Sequence, residues 1–258
     1  MNDEELLGLL RDAARAVRDV IGGLQGRGLS GGRPTQYHAD VVADDAAVAV
    51  LVRGGLRVLS EESDVSGDGP IVCVLDPIDG STNFDRGIPY YSTSLCALDD
   101  EGALCSVVVN HATDTWYEAV RGAGATRDGH SIRPSGVLGL NAAIVSFSGL
   151  PSARGGWAQF RALGSASLEL CAVADGSLDG YAVVANSRLS PWDYLGGIQV
   201  LGEAGGFVAE LDGAPLVVAD RSRRRPIAAG SGALLVELRA FVDGLGDGTH
   251  RKVVRPGA

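Results

Sequence analysis

The chain has 258 residues, of which 45% are hydrophobic and 21% charged, and its formal net charge is -10. This composition is typical of a globular protein that can bury one large core or two fused cores. The acidic balance argues against binding to nucleic acid or to anionic membranes, because such binding depends on clustered cations.

Other features narrow the class of protein further. Lys252 is the only lysine, and it lies outside any GxxxxGK[ST] motif, which excludes a P-loop nucleotide hydrolase. The four cysteines form no CxxC pair, so buried, reduced thiols are expected rather than a zinc site or a disulfide scaffold. The acidic start of the chain and the lack of an apolar run of roughly 18 residues favour a cytoplasmic protein.

The first half of the chain is predicted to be mixed α+β. Apolar residues recur at helical spacing from Leu6 to Ile21, which predicts an amphipathic helix, and a glycine-rich loop follows at residues 22–32. Asp40 is placed to cap a second helix that ends at Gly54. The remaining predicted elements of this half are strands at 56–59, 71–75, 91–98 and 106–111.

The second half alternates between helices and strands, as layered α/β structures do. Its predicted strands lie at 143–147, 181–184, near 207 and at 226–229, and its predicted helices at 153–163, 167–174, 193–203 and 233–242. The whole chain is therefore predicted to form a layered sandwich of alternating helices and sheets. An N-terminal α+β lobe of residues 1–140 and a C-terminal α/β lobe of residues 141–258 are expected.

Two carboxylates, Asp76 and Asp79, follow the predicted strand at 71–75. Pro77 has a fixed φ angle and cannot extend the hydrogen bonding of a strand, so the chain is expected to turn there and bring both carboxylates to one side. Carboxylates held so close repel each other unless a divalent cation neutralises them. Oxygen ligands without a neighbouring His or Cys favour Mg²⁺.

The residues after Asp79 suit a phosphate group. Gly80 has no side chain, so a ligand can approach its backbone closely. Ser81 and Thr82 begin a helical or turn segment, and free backbone N–H groups at such a start bind phosphate oxygens. The alternative interpretation of the same residues is an Asx-turn and helix cap without a ligand.

Three segments together resemble the inositol monophosphatase family. DPIDGSTNF, which starts at Asp76, is similar to the first signature of the family, and WDYLGG from Trp192 with EAGG from Glu203 is similar to the second. Ser-Glu-Glu-Ser at 60–63 matches the upstream acidic element in order and spacing. The resemblance extends from about Asp40 to Gly206 and implies a Mg²⁺-dependent phosphatase with a layered fold.

The resemblance implies a set of metal ligands. Glu61, Asp76 and the backbone carbonyl of Ile78 correspond to the ligands of one Mg²⁺ ion. Asp76, Asp79 and Asp193 correspond to the ligands of a second ion. Family members often hold a third, weaker ion near the acidic loop.

The resemblance also implies catalytic and substrate-binding roles. Glu61 and Ser81 match the pair that orients the attacking water, and with Asp76 they are the candidate catalytic residues. Most relatives have Thr in place of Ser81, and either hydroxyl can donate and accept hydrogen bonds. A water activated by the metal site is expected to attack phosphorus in line. The candidate substrate-binding residues are Asp79, Gly80, Ser81, Ser165, Ala166, Asn186 and Asp193.

The alcohol part of the substrate is less well defined by the sequence. Relatives that prefer inositol phosphate have a Glu seven residues before the second-signature Asp, where this chain has Asn186. Inositol phosphate and histidinol phosphate are the leading candidates, followed by fructose 1,6-bisphosphate and 3′-phosphoadenosine 5′-phosphate. Arg188 either favours an anionic group or faces solvent. A non-catalytic, metal-binding relative is the alternative of a different class, although no ligand carboxylate is lost.

Three expectations concern the surface. The basic run of Arg221 with Arg223, Arg224 and Arg225 is interpreted as a solvated loop. The loop at 22–32 lies where the family has a mobile loop, so it is a candidate lid over the metal site. The resemblance implies a homodimer, for which the strands of the first half offer an interface.

Overall fold

The computed structural model describes residues 1–24, 28–33 and 36–245. Its helices are Asp3–Gly22 (α1), His38–Arg53 (α2), Ser81–Arg86 (α3), Ala166–Ala174 (α4), Pro191–Glu203 (α5) and Gly232–Gly244 (α6). Residues 25–27 of the predicted glycine-rich loop lie outside the described residues, so its role as a lid stays a prediction. Within the described ranges, no helix has the length and apolar content needed to cross a bilayer.

The strands form two sheets. The first sheet contains Arg57–Ser60 (β1), Val72–Asp79 (β2), Ser92–Asp99 (β3), Gly102–Asn110 (β4), Thr115–Val120 (β5), Gly124–Arg127 (β6) and His130–Ser131 (β7), in that order. The second sheet has the order β11-β12-β10-β8-β9, with Ile144–Ser148 (β8), Gln159–Arg161 (β9), Gly180–Val183 (β10), Phe207–Glu210 (β11) and Pro226–Ala229 (β12). β1 pairs in parallel with β2, whereas the other pairs of the first sheet are antiparallel.

Helices alternate with the two sheets as layers. α1 and α2 pack on one face of the first sheet, and α5 and α4 pack on its other face. α4 also packs against the second sheet, whose opposite face is covered by α6. Successive strand side chains point to opposite faces, so Cys73 and Leu75 join the core under α1 and α2 while Val74 joins the core beside α4 and α5. The predicted layered sandwich is confirmed.

The chain does not turn away from the first sheet at Pro77, as the sequence predicted. β2 continues to Asp79, and its register with β3 shifts, since Asp76 pairs with Ser94 whereas Asp79 pairs with Ser92. The extra residue on β2 makes a β-bulge, a position at which a strand tolerates proline. The carbonyl of Pro77 accepts a hydrogen bond from Thr93 Oγ1 at 2.8 Å.

The prediction of a helix over residues 153–163 is wrong. This segment is irregular apart from β9, which pairs in parallel with β8 at the edge of the second sheet. Gly155 and Gly156 disfavour a helix. Trp157 instead packs between Phe147 and Phe241, with ring centroids 5.0 Å away on both sides. Aromatic packing between layers therefore determines the path of this segment.

Strands β5 to β7 were not among the predicted elements, and they extend the first sheet on the side of β4. Buried and half-buried residues alternate along Thr115–Val120, which is the period of a strand. The four cysteines are free and buried, as predicted. The last strand of the first sheet ends at Ser131 and the first strand of the second begins at Ile144, while the division into two lobes near residue 140 stays a prediction.

Candidate active site

Three carboxylates from three different elements meet beside the carboxyl end of β1. Glu61 follows β1, Asp76 lies in β2, and Asp193 is in the first turn of α5. One carboxylate oxygen of each residue lies within 4.8 Å of those of the other two. Oxygen ligands in such a group suit a hard divalent cation such as Mg²⁺.

Strand pairing places Glu61 beside Asp76. β1 and β2 run in parallel, Ser60 is opposite Leu75, and the backbone N–H of Glu61 donates to the Leu75 carbonyl at 3.2 Å. The hydroxyl of Ser60 is buried and donates to the Asp44 carboxylate of α2 at 2.5 Å. The base of the Glu61 loop is thereby attached to both the sheet and the helix layer.

Asp193 is held by the start of α5. The backbone N–H of Ser190 donates to Asp193 Oδ2 at 2.7 Å, which is half of a capping box, and Pro191 occupies the first turn of the helix. The carboxylate is therefore oriented by a local motif that the sequence contains.

The electrostatics of this cluster favour a bound cation. Burial, followed by the charges of neighbouring carboxylates, raises the pKa of Glu61 to about 8 and that of Asp193 to about 7. The same two causes raise the pKa of Asp76 well above its usual range. Asp76 Oδ1 is buried and has no hydrogen-bond partner in the described residues. An unpaired buried oxygen in an oxygen-only group fits a Mg²⁺ ligand.

Asp79, at the end of β2, has a different environment. Its Oδ2 accepts hydrogen bonds from the Ser165 hydroxyl at 2.8 Å, the Ser167 backbone N–H at 2.8 Å and the Ser167 hydroxyl at 2.5 Å. Burial raises the pKa of Asp79, while these serine hydrogen bonds lower it. Asp79 therefore fastens the end of β2 to the start of α4.

Gly80 and Ser81 form the junction between β2 and α3. Gly80 has a φ of 95°, and a Cβ atom there would lie 3.0 Å from the carbonyl oxygen of Gly164 and 3.1 Å from that of Tyr90. Both the conformation and the close backbone packing thus require glycine. The Ser81 hydroxyl donates to the Ile78 carbonyl at 2.8 Å, and a carbonyl oxygen keeps a second lone pair for another partner.

The predicted substrate-binding residues of the second half fall into two groups. Ser165 is buried and precedes the first residue of α4, Ala166. Asn186, by contrast, is exposed in the turn after β10, and no hydrogen bond joins its side chain to another described residue. Nearby, Arg188 pairs with Asp212 at 2.7 Å on the surface. The structure thus brings Ser165 to Asp79 but records no contact between Asn186 and the carboxylates.

The sequence analysis missed one acidic residue of the site. Asp40 is not the cap of α2 but lies in its first turn, where Oδ2 accepts the backbone N–H of Tyr37 at 3.0 Å. Its Oδ1 is buried without a hydrogen-bond partner among the described residues, and burial raises its pKa to about 6, although the nearby Ser81 hydroxyl lowers it. Its charge raises the pKa of Glu61 in turn. From the sequence, Asp40 was interpreted only as a helix cap, so its position near the carboxylate cluster was not predicted.

The fold and the cluster define a layered α+β protein with a group of carboxylates of the kind that suits a hard divalent cation. The sequence model of the inositol monophosphatase family matches residues 35–241. The chain therefore belongs to the inositol monophosphatase family.

Individual relatives agree with this membership. The chain is 36% identical over 228 residues to a fructose-1,6-bisphosphatase/inositol-1-monophosphatase of Archaeoglobus fulgidus, covering 84% of this chain and 88% of the relative. It is 34% identical to an inositol-1-monophosphatase of Mesorhizobium japonicum, with 78% and 82% covered. It is also 31% identical to the Nus factor SuhB of Escherichia coli, with 66% and 71% covered.

A solved structure agrees as well. The inositol monophosphatase of an Anabaena (Nostoc) species superimposes with a TM-score of 0.80 and 25% identity, covering 96% of this chain and 98% of that one. The family and the names of these relatives support a phosphatase of this superfamily.

Proposed function

We propose that the protein is a Mg²⁺-dependent phosphomonoesterase that hydrolyses a small phosphorylated alcohol such as inositol monophosphate. The observation that carries this proposal is the cluster of Glu61, Asp76 and Asp193, whose mutually repelling carboxylates include a buried oxygen of Asp76 that has no partner among the described residues. Bound Mg²⁺ would supply Lewis acidity toward the phosphoryl group and lower the pKa of a water. We propose two ions, with room for a third, weaker one near the acidic loop.

The proposed ligands are Glu61, Asp76 and the Ile78 carbonyl for one ion, and Asp76, Asp79 and Asp193 for the other. Asp76 is common to both sets, which agrees with its central, buried position and its free Oδ1. Asp79 Oδ1 is the oxygen that the three serine hydrogen bonds leave unused. All of these proposed ligand atoms are oxygens, as Mg²⁺ prefers, and three of the carboxylates, those of Glu61, Asp76 and Asp193, lie within 4.8 Å of one another.

The remaining site residues act on the water and the phosphate ester. Glu61 is half-buried at the edge of the cluster, where its carboxylate can accept a proton from the attacking water. The Ser81 hydroxyl donates to the Ile78 carbonyl, and its oxygen is proposed to accept a hydrogen bond from that water. The backbone N–H groups at Gly80, Ser81 and Ala166 are proposed to contact the phosphate oxygens.

The alcohol is proposed to lie toward Ser165 and Asn186. Asn186 offers an amide donor and acceptor but no charge, so a polyol and an amino alcohol both remain candidate leaving groups. Histidinol phosphate is accordingly the main alternative, followed by fructose 1,6-bisphosphate and 3′-phosphoadenosine 5′-phosphate. The bifunctional name of the Archaeoglobus fulgidus relative favours keeping the bisphosphate in the comparison. A non-catalytic relative that only binds metal is the alternative of another class.

A panel of phosphomonoesters assayed with and without Mg²⁺ tests this proposal. We expect hydrolysis that requires Mg²⁺, is abolished by EDTA and is restored by adding the ion back. The ratio of kcat/KM values across the panel identifies the substrate, because discrimination is a difference in transition-state binding. Mg²⁺ binding by calorimetry without hydrolysis of any ester would favour the non-catalytic alternative.

We further propose a cytoplasmic homodimer without nucleic-acid or membrane partners. The strands of the first half, with β5 to β7 at the far side of the first sheet, stay the proposed interface. Exposed Leu150 and Phe160 border a cleft of about 700 Å³ that contains none of the predicted site residues and offers a second apolar surface. Size-exclusion chromatography with light scattering should give twice the mass of the chain, and a monodisperse monomer would contradict the dimer.

A further inference from the structure

Arg221 touches both segments that bring Glu61 and Asp193 together. Its Nη2 donates to the backbone carbonyls of Ser60 at 3.1 Å and of Ser63 at 2.6 Å. Its guanidinium also lies over the ring of Trp192, 5.3 Å from the centroid. Arg221 is exposed in a loop, as the sequence predicted, and these contacts attach that loop to the candidate site.

Arg33 bonds the two backbone carbonyls that lie between those of Ser60 and Ser63. Its Nη1 donates to the Glu61 carbonyl at 3.4 Å, and its Nη2 donates to the Glu62 carbonyl. Arg33 also pairs with the Glu62 carboxylate at 3.1 Å, which accepts a further hydrogen bond from Gln36. The four successive carbonyls of residues 60–63 are therefore all bonded to arginine, two to each side chain.

These contacts matter because Glu61 stands in an electrostatically unfavourable place. Its backbone N–H bonds to β2, but its side chain lies among carboxylates whose repulsion pushes it away from Asp76 and Asp193. Arg33 pairs with the Glu62 carboxylate, but among the described residues neither arginine bonds the Glu61 carboxylate. The two arginines therefore hold the backbone of this loop without neutralising the proposed ligand. Arg221 in addition ties this loop to the residue next to Asp193.

We propose that Arg33 and Arg221 are positioning residues that form a clamp on the 60–63 loop and hold Glu61 at the spacing from Asp193 that a divalent cation requires. This inference rests on the proposed Mg²⁺-dependent function. It assigns a role in metal affinity to two arginines that cannot themselves be ligands of a cation.

A positioning role for Arg221 and a purely electrostatic role predict opposite changes in Mg²⁺ affinity when Arg221 is changed to Met. Removing a positive charge near a cation site should strengthen Mg²⁺ binding through Coulomb interactions alone. Loss of the clamp should instead weaken it, by about tenfold, the usual effect of losing a partner that orients a ligand. The sign of the change therefore distinguishes the two causes.

Arg223→Met is the matched control. Arg223 lies two residues further along the same loop, is exposed, and has no side-chain hydrogen bond to another described residue, although its charge is felt by Asp193. The substitution removes the same charge from the same loop but leaves the four carbonyl bonds intact. We expect its Mg²⁺ affinity to be unchanged or slightly higher.

The experiment is Mg²⁺ titration by calorimetry of the unchanged 258-residue chain and of the Arg221→Met, Arg33→Met and Arg223→Met variants. The first two should bind Mg²⁺ about tenfold more weakly than the unchanged protein. In the absence of metal, hydrogen–deuterium exchange should rise in peptides covering 60–66 in these two variants only. This second measurement does not depend on activity and shows whether the loop has been released in a protein that otherwise remains folded.

Two results would separate the clamp from the function on which it rests. If the unchanged protein binds Mg²⁺ and hydrolyses phosphate esters but Arg221→Met binds the ion equally well or more tightly, the clamp is refuted and the function stands. If the unchanged protein binds no Mg²⁺, the proposed function fails, and the role of the clamp in metal binding fails with it.

Discussion

The carboxylate side and the alcohol-facing side of the candidate site are built in opposite ways. Asp76 is buried inside a seven-stranded sheet, and Asp193 is fixed by the first turn of α5. Asn186 instead lies in an exposed turn, next to Ala185 with a φ of 55°. The residues proposed to carry the phosphate chemistry are thus fixed by the core, whereas the residue proposed to contact the alcohol is held by one short turn.

The largest effect is expected on the carboxylate side. Asp76→Asn should lower kcat/KM by at least about a thousandfold, equivalent to about 4 kcal/mol of transition-state stabilisation, because it removes a ligand proposed for both ions. At alkaline pH in EDTA, where the Asp76 carboxyl ionises despite its raised pKa, the same variant should melt at a higher temperature than the unchanged protein, since a buried, repelled charge is gone. Steady-state kinetics and thermal melting test both halves of this prediction.

Asp79→Asn provides the contrast for that variant. In the unchanged protein, Asp79 Oδ2 accepts three hydrogen bonds from Ser165 and Ser167, which already stabilise its charge. The Asp79→Asn variant should therefore gain less in melting temperature than the Asp76→Asn variant. Near-normal turnover in Asp76→Asn would show that the carboxylate cluster takes no part in hydrolysis. An equal gain in melting temperature for both variants would show that the two carboxylates do not differ as described.

The next largest effect is expected in the pH dependence of the melting temperature. The folded protein holds the pKa of Glu61 at about 8 and that of Asp193 at about 7, against ordinary values of 4.5 and 3.8. Both are raised, so their favourable contribution is complete below about pH 4 and is lost as the pH rises toward about 8. In EDTA, the melting temperature of the unchanged protein should fall across this range relative to that of Glu61→Gln.

Saturating Mg²⁺ should reverse this trend. Ligands must be deprotonated to bind the ion, so stabilisation by Mg²⁺ should grow as the pH rises over the same range. Melting curves with EDTA and with Mg²⁺ at each pH measure the difference directly. Parallel curves under the two conditions would show that these carboxylates do not bind the ion.

A smaller effect is expected where the two sides of the site join. Ser167→Ala removes a buried hydroxyl that donates to Asp79 and bonds to Ser92, and should cost about 1–2 kcal/mol of stability. Ser106→Ala is the matched control, because the Ser106 hydroxyl is equally buried but has no hydrogen-bond partner among the described residues. Urea denaturation should show a clear loss for Ser167→Ala and little change for Ser106→Ala.

Much of the fold followed from periodicity, and the departures have physical reasons. The burial of Trp157 between Phe147 and Phe241 replaced the predicted helix at 153–163, a tertiary effect that local patterns do not contain. Pro77 was expected to end β2, but a β-bulge lets the strand continue to Asp79. Local rules therefore failed where packing or strand pairing overrode them.

The candidate site, like the fold, was predicted where local motifs were sufficient and was missed where long-range contacts decide. The motifs identified Glu61, Asp76 and Asp193, which the structure brings together. They did not identify Asp40 or Arg221, since a capping residue and a surface arginine have the same local pattern whether or not they face a site. Contacts between residues distant in sequence, such as Arg221 with Ser60 and Ser63, require the folded chain.

The smallest effect is expected on the alcohol side. Asn186→Glu introduces the carboxylate that the resemblance associates with inositol phosphate, and should change the ratio of kcat/KM for inositol monophosphate over histidinol phosphate by about two- to fivefold. The change is modest because an exposed charge contributes about 1 kcal/mol or less. Asn141→Glu adds the same charge at another exposed position, beside α6, and should leave the ratio unchanged. An unaltered ratio in Asn186→Glu would mean that the turn after β10 does not face the substrate, and that specificity is set by the buried start of α4 instead.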